Sequence, residues 1–129
     1  MSWVAGVILL ALLEYFVLGA LVGRARGRYQ IAAPAVSGHP MFERYFRVHQ
    51  NTLEQLIVFL PAVWLFGRYL SARWAAILGA VFVLARILYA VGYVRAPEKR
   101  EAGATLSFIS EAVLVLGALY GVIRSLLAS

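Results

Sequence analysis

Residues 72–94 read ARWAAILGAVFVLARILYAVGYV, a run whose only charges are Arg73 and Arg86. A helix needs about 20 mainly apolar residues to cross the hydrocarbon of a bilayer. The run meets that length, and it lacks the period-two alternation of a barrel strand. Three comparable segments flank it in the chain. One covers about residues 3–22 and is broken only by Glu14. Another covers about 42–67, apolar from Leu56 to Phe66 but starting earlier, near Phe42, with Pro61 inside it. The last covers about 104–127 and contains Glu111. A proline within a membrane helix is tolerable where neighbours satisfy the freed carbonyl. The pattern predicts an all-α integral membrane four-helix bundle, a single membrane domain over residues 1–129 with spans at about 3–22, 42–67, 72–94 and 104–127.

Composition agrees. Hydrophobic residues make up 63% of the 129 residues and charged ones 14%, against roughly 45–50% and 25% in soluble domains. So much apolar surface cannot be hidden inside a soluble particle of this size, so lipid serves as part of the solvent. Disordered chains, soluble enzymes and nucleic-acid modules are thereby excluded. Cysteine is absent, which removes disulfides, thiolate metal sites and a cysteine nucleophile. The acidic residues are all glutamate, so no Ser-His-Asp catalysis is available. No metal is expected. The net charge of +6 is read as topological rather than as a nucleic-acid footprint, since cytoplasmic loops collect Lys and Arg.

The segment between the first two spans carries Arg24, Arg26, Arg28, Arg44 and Arg47, and that between the last two carries Arg95, Lys99 and Arg100. The opposite side offers Arg68, Arg73 and Arg124. Loops one and three are therefore expected in the cytoplasm, with both termini on the other side. The first loop, Arg24 to Met41, is expected to be a connector punctuated by Pro34, Gly38 and Pro40.

The polar residues are concentrated where a membrane helix does not want them. On a helix, Arg47, Asn51 and Glu54 fall within roughly 60° of one another. A guanidinium, a carboxamide and a carboxylate thus share one face. An internal Arg47–Glu54 pair would neutralise two charges but would leave His49, Gln50 and Asn51 unexplained, and polar groups at membrane depth are costly. In the third span Arg86, Tyr89 and Tyr93 follow i, i+3, i+7 spacing and share a stripe. A buried Arg86 demands an anion, for which Glu54, Glu14 and Glu111 are the candidates. Two such stripes can line a pocket for a small, charged, hydrogen-bonding ligand.

The stretch Phe42-Glu-Arg-x-x-Arg-Val-His-Gln-Asn-Thr-Leu-Glu, followed by Ala-Arg-x-x-Tyr-x-x-Gly-Tyr from Ala85 to Tyr93, resembles the MAPEG family. These are membrane-associated proteins of eicosanoid and glutathione metabolism, and the likeness is nearest to the microsomal glutathione transferases and leukotriene-C synthases. It covers about Gly23 to Arg100. The resemblance implies a homotrimer of four-helix subunits, with glutathione as co-substrate bound between neighbours at the cytoplasmic side. It also implies a lipophilic second substrate delivered through membrane lipid. Carried over position by position, Arg26, Arg47, Asn51, Glu54, Tyr89 and Tyr93 hold glutathione. His49 stands at a polar motif position and is a further contact, and Arg86 is counted with the binding set. Arg100 falls where the synthases place the arginine that faces the thiol. Gln55 departs from the aromatic many relatives carry. Pro97 lies between Tyr93 and Arg100, so a bend is expected that re-aims the distal arginine and makes Lys99 its rival.

The chemistry of those residue types fits. Arginine forks suit the two carboxylates of glutathione and Glu54 suits its ammonium. The attacking species is the thiolate, and an unperturbed thiol has a pKa of about 8.5. The function expected is a membrane-bound glutathione transferase, with peroxidase work as a further capacity. Two alternatives stand beside it: a non-catalytic member that binds glutathione or lipid, and a small proton-coupled multidrug transporter using Glu14.

Overall fold

The computed structural model describes all of residues 1–129. It contains four long helices: α1 (Ser2–Tyr29), α2 (Pro40–Tyr69), α3 (Ala72–Arg95) and α4 (Glu101–Ala128), with a single 3-10 turn at Pro97–Arg100 leading into α4. They run up, down, up and down. The turn Leu70–Ser71 and both termini lie at one end, and the connector 30–39 and the Pro97–Arg100 turn lie at the other. The central pair, α2 and α3, pack against each other and against both outer helices, while α1 and α4 occupy opposite flanks.

α1, α3 and the Pro97–Ala128 segment are long and apolar enough to cross a membrane. The chain is an integral membrane helical bundle. α2 is equally long but carries Glu43, Arg44, Arg47, His49, Asn51 and Glu54 in its first half. Its second half supplies Phe59, Val63 and Phe66 to a core shared with Val4, Val7, Phe82 and Leu114. Phe59 and Phe82 stack with centroids 3.9 Å apart and planes 9° from parallel. Leu9, Leu13, Phe16, Leu84 and Leu116 point outward and are exposed, as lipid-facing side chains should be. Such helices gain no hydrophobic energy from pairing in lipid, so close contact must hold them together. α4 achieves this with a buried stripe of mostly small residues: Gly103, Ser107, Ser110, Leu114, Ala118 and Gly121. The serine hydroxyls donate within the helix, Ser107 Oγ to Gly103 O at 2.7 Å and Ser110 Oγ to Ser107 O at 2.9 Å, so burying them leaves no donor unmet.

The connectors differ from the sequence expectation. α1 does not end near Val22 but continues to Tyr29 and closes with Gln30 in the left-handed region (φ 57°). Arg24, Arg26 and Arg28 are therefore helical, and the expected loop from Arg24 to Met41 shrinks to residues 30–39. The fall in hydropathy marks where lipid ends, whereas arginine is a good helix former and carries the helix onward. The connector then turns at Gly38, whose φ of 136° favours glycine. There Gly38 N donates to Glu43 Oε2 at 3.1 Å, and His39 caps α2 by accepting from Met41 N at 3.1 Å. α4 likewise starts earlier than expected, at Glu101, because the 3-10 turn feeds directly into it.

Candidate functional site

A chamber of about 290 Å³ opens between α2, the end of α3 and the Pro97–Arg100 turn. From α2 it is lined by Arg47, Gln50, Asn51 and Glu54, whose separations of three and four residues put them on one face. From α3 come Tyr89 and Tyr93, one helical turn apart, with ring centroids 5.7 Å from each other. Arg100 closes the chamber from the turn, its guanidinium 5.8 Å from the Tyr93 ring and its Nη1 donating to Pro97 O at 3.0 Å. Lys99 does not line it. A second cavity of about 540 Å³, walled by Arg44, Phe46, Pro40 and Pro97 among others, shares Arg47 and Tyr93 with the first.

The position of Arg100 follows from local packing. α3 stops at Arg95, and Ala96 is extended (φ −160°, ψ 122°), as the residue before a proline prefers. Pro97 then opens the 3-10 turn rather than bending α3. Arg44 fastens this corner to α2, donating from Nη1 to Val94 O at 3.1 Å and Arg95 O at 3.2 Å. Gly103 lets α4 begin against the α3 backbone: a Cβ there would collide with the backbone N and Cα of Tyr89. The turn is thereby folded back over Tyr89 and Tyr93.

Arg86 stands behind the chamber and does not line it. It is only 1% exposed. Its Nη2 donates to Asn51 Oδ1 at 2.7 Å and to Thr52 Oγ1 at 3.0 Å, and the guanidinium lies 4.2 Å from the Tyr89 ring centroid. Of the three candidate counter-charges, Glu14 on α1 and Glu111 on α4 each keep a buried carboxylate oxygen without a hydrogen-bond partner, whereas Glu54 is exposed and lines the chamber.

His49 and Arg26 also lie away from the chamber. His49 faces α1, where its ring stacks on Tyr15, and a Cβ on Gly19 would sit 3.2 Å from its Nε2. Arg26 braces the connector, donating to Ala35 O at 2.7 Å and Ile31 O at 3.4 Å, with its guanidinium 5.0 Å from the Phe42 ring. No three His, Asp or Glu side chains converge as a metal site would require.

Gln50, Thr52 and Gly103 were not singled out as site residues by sequence reasoning. Gln50 was visible as an unexplained polar residue on the same segment. Thr52 was not, because an arginine in an apolar run suggests carboxylate partners rather than a hydroxyl. Gly103 gave no signal beyond being a glycine near a helix start.

Two guanidiniums, one carboxylate, two amides and two phenols thus surround one chamber at the Pro97–Arg100 end of the bundle. Such a site in a four-helix membrane bundle agrees with what comparison shows: residues 4–120 match the MAPEG family model, and the chain belongs to that family. It is 50% identical over 124 residues to an uncharacterised protein of Synechocystis sp., covering 96% of this chain and 90% of that one. It is 40% identical over 114 residues to human microsomal glutathione S-transferase 2, covering 88% and 76% of the two chains. It is 35% identical over 98 residues to leukotriene C4 synthase of Cavia porcellus, covering 76% and 65%.

Proposed function

We propose that this protein is a membrane-bound glutathione transferase that joins glutathione thiolate to lipophilic electrophiles, or reduces them, at the interfaces of a homotrimer. One observation carries the reading: Arg47, Asn51, Glu54, Tyr89, Tyr93 and Arg100 converge on a single chamber. Arg47 binds a ligand carboxylate and Glu54 the ammonium, both as charge-assisted hydrogen bonds. Arg100 faces the sulfur. Bringing a thiol from about 8.5 to about 6.5 takes roughly 2.7 kcal/mol of selective stabilisation of the anion, which a guanidinium held against the sulfur supplies once a neighbouring subunit covers the open side. The thiolate sulfur then forms a C–S bond at the electrophilic carbon and the leaving group departs with its electron pair. The thiol proton goes to solvent through the open side of the chamber, where Arg47, Glu54 and Arg100 are all exposed.

That open side supports a site completed by a neighbour. Arg26 and His49 belong to the other edge of the same subunit, so they reach glutathione only from an adjacent copy. The electrophile enters from lipid across the exposed apolar faces of the helices. By the positive-inside rule the connector and the Pro97–Arg100 end face the cytoplasm, and all four helices span. A non-catalytic binding protein would not need a guanidinium for the thiol, and the presence of Arg100 in the chamber wall supports the catalytic reading.

The test is a conjugation assay with a chlorinated dinitrobenzene alongside calorimetric binding of glutathione. Turnover with saturable glutathione binding supports the transferase; binding without turnover of any electrophile overturns it in favour of the binding protein.

A further inference from the structure

Arg86 joins elements from the whole bundle at one point. It projects from α3, donates to Asn51 and Thr52 on α2, and lies in the field of Glu14 from α1 and Glu111 from α4. Three buried polar atoms in this node have no hydrogen-bond partner: Glu14 Oε2, Arg86 Nε and Glu111 Oε1. A fully buried guanidinium with two flanking carboxylates is costly to keep in a membrane core. Neutralising charge does not require its bond to Asn51, which lines the ligand chamber.

The direction of that bond has a chemical consequence. A guanidinium has donors and no acceptor, so only the amide oxygen of Asn51 can face it. The Asn51 NH2 is therefore not the end that meets Arg86, and Asn51 itself is part of the chamber wall. Without Arg86 a carboxamide could present either end to a ligand. Thr52 and the Tyr89 ring seat the guanidinium from two sides and fix the direction from which it donates.

We infer that Arg86 is a positioning residue that locks the Asn51 carboxamide with its NH2 facing the ligand, so that this point of the chamber selects a carbonyl or carboxylate oxygen. The inference rests on the glutathione reading above. It assigns Asn51 a donor role set from behind by a side chain that never touches the ligand. Asn51→Asp would keep the acceptor that Arg86 needs while replacing the donor that the ligand needs.

The experiment measures glutathione affinity and steady-state kinetics for the purified full-length protein carrying Arg86→Lys, Asn51→Asp, Asn51→Ala and the Arg86→Lys/Asn51→Ala double change. Thermal unfolding is followed throughout. Lysine keeps the positive charge for Glu14 and Glu111 but cannot bridge Asn51 and Thr52 from one planar group. Arg86→Lys should raise the KM for glutathione about fivefold or more while kcat stays within about threefold. Asn51→Asp should weaken binding at least about tenfold. In the Asn51→Ala background Arg86→Lys should add nothing to KM, because its effect passes through Asn51. Multiplicative effects, or an unchanged KM in Arg86→Lys, overturn the inference. If Arg86→Lys does not fold, Thr52→Val replaces it, with a rise in KM of about twofold that must likewise vanish in Asn51→Ala. Failure of the wild-type protein to bind glutathione overturns the functional reading and this inference together, whereas wild-type binding with multiplicative variants overturns the positioning role alone.

Discussion

The imidazole of His49 lies flat on the ring of Tyr15, with centroids 4.3 Å apart and planes 19° from parallel. Arg47, two residues earlier on the same helix, lines the chamber on the far side. Two residues of α-helix turn the chain by about 200°, so the two side chains leave α2 in nearly opposite directions. α2 thus presents one polar edge to its own α3 and another to its own α1. A ligand gripping both edges needs two copies of the chain.

Complementation tests this division. Arg47→Ala and Arg26→Ala should each leave little activity alone. Co-expressed in equal amounts and allowed to mix in the proposed trimers, they should restore activity at about a quarter of the interfaces, those pairing an intact first edge with an intact second edge. Cross-linking of the purified mixture checks that mixed oligomers formed. Mixed oligomers with no recovery would place all binding residues within one subunit.

The features legible in the sequence are those that repeat with the helical period. Arg47, Asn51 and Glu54, and separately Tyr89 and Tyr93, could be assigned to faces because three- and four-residue spacing fixes a face on any helix. Three of the helices followed from apolar length, and the second from the shorter apolar run Leu56 to Phe66 extended back to Phe42. What depends on packing between helices was not legible. The extension of α1 to Tyr29 occurs beyond the apolar window that revealed the helix. The pairing of Arg86 with Asn51 and Thr52 is settled by how α3 settles on α2, and a list of available carboxylates could not reveal it. The small-residue stripe of α4 became meaningful only once Tyr89 and Tyr69 were seen against it.

Gly103 should be intolerant of any side chain. Gly103→Ala forces a methyl group into the Tyr89 backbone, where nothing flexible can give way. The expected cost is about 1–3 kcal/mol, seen as a Tm lower by several degrees in detergent micelles. Gly23→Ala is the control, since a Cβ there meets nothing within 4 Å. Its Tm should be unchanged or slightly raised, because alanine favours helix over glycine. Equal behaviour of the two variants would show that α4 does not approach α3 so closely.

Arg44 should matter without touching the ligand. Its guanidinium satisfies the last carbonyls of α3, which have no partner within that helix. Arg44→Ala should destabilise the protein by about 1–3 kcal/mol and loosen the turn carrying Arg100. Arg44→Lys should recover only part of this, since one ammonium covers two carbonyls less well. Thermal unfolding reads the first effect. Faster hydrogen exchange at residues 94–100, with exchange in α1 unchanged, reads the second.

The thiol supplies the most direct test of the chamber. Arg100 lines it and Lys99 does not, so under the proposed function Arg100 is the cation expected to stabilise glutathione thiolate. In the wild-type protein the ultraviolet thiolate band of bound glutathione should appear well below pH 8.5. A cation lowers the thiol pKa by favouring the anion, so removing it must raise that pKa. Arg100→Ala should therefore shift the band to higher pH and reduce turnover near pH 7, about tenfold for each 1.4 kcal/mol lost. Part of that turnover should return as the pH is raised towards 9, where solvent alone ionises the thiol. Binding should change less, because the carboxylate and ammonium contacts from α2 remain. Lys99→Ala should leave the band in place. A band that survives Arg100→Ala and disappears in Lys99→Ala would assign the thiol to the wrong side of the turn and reverse the roles of these two neighbours.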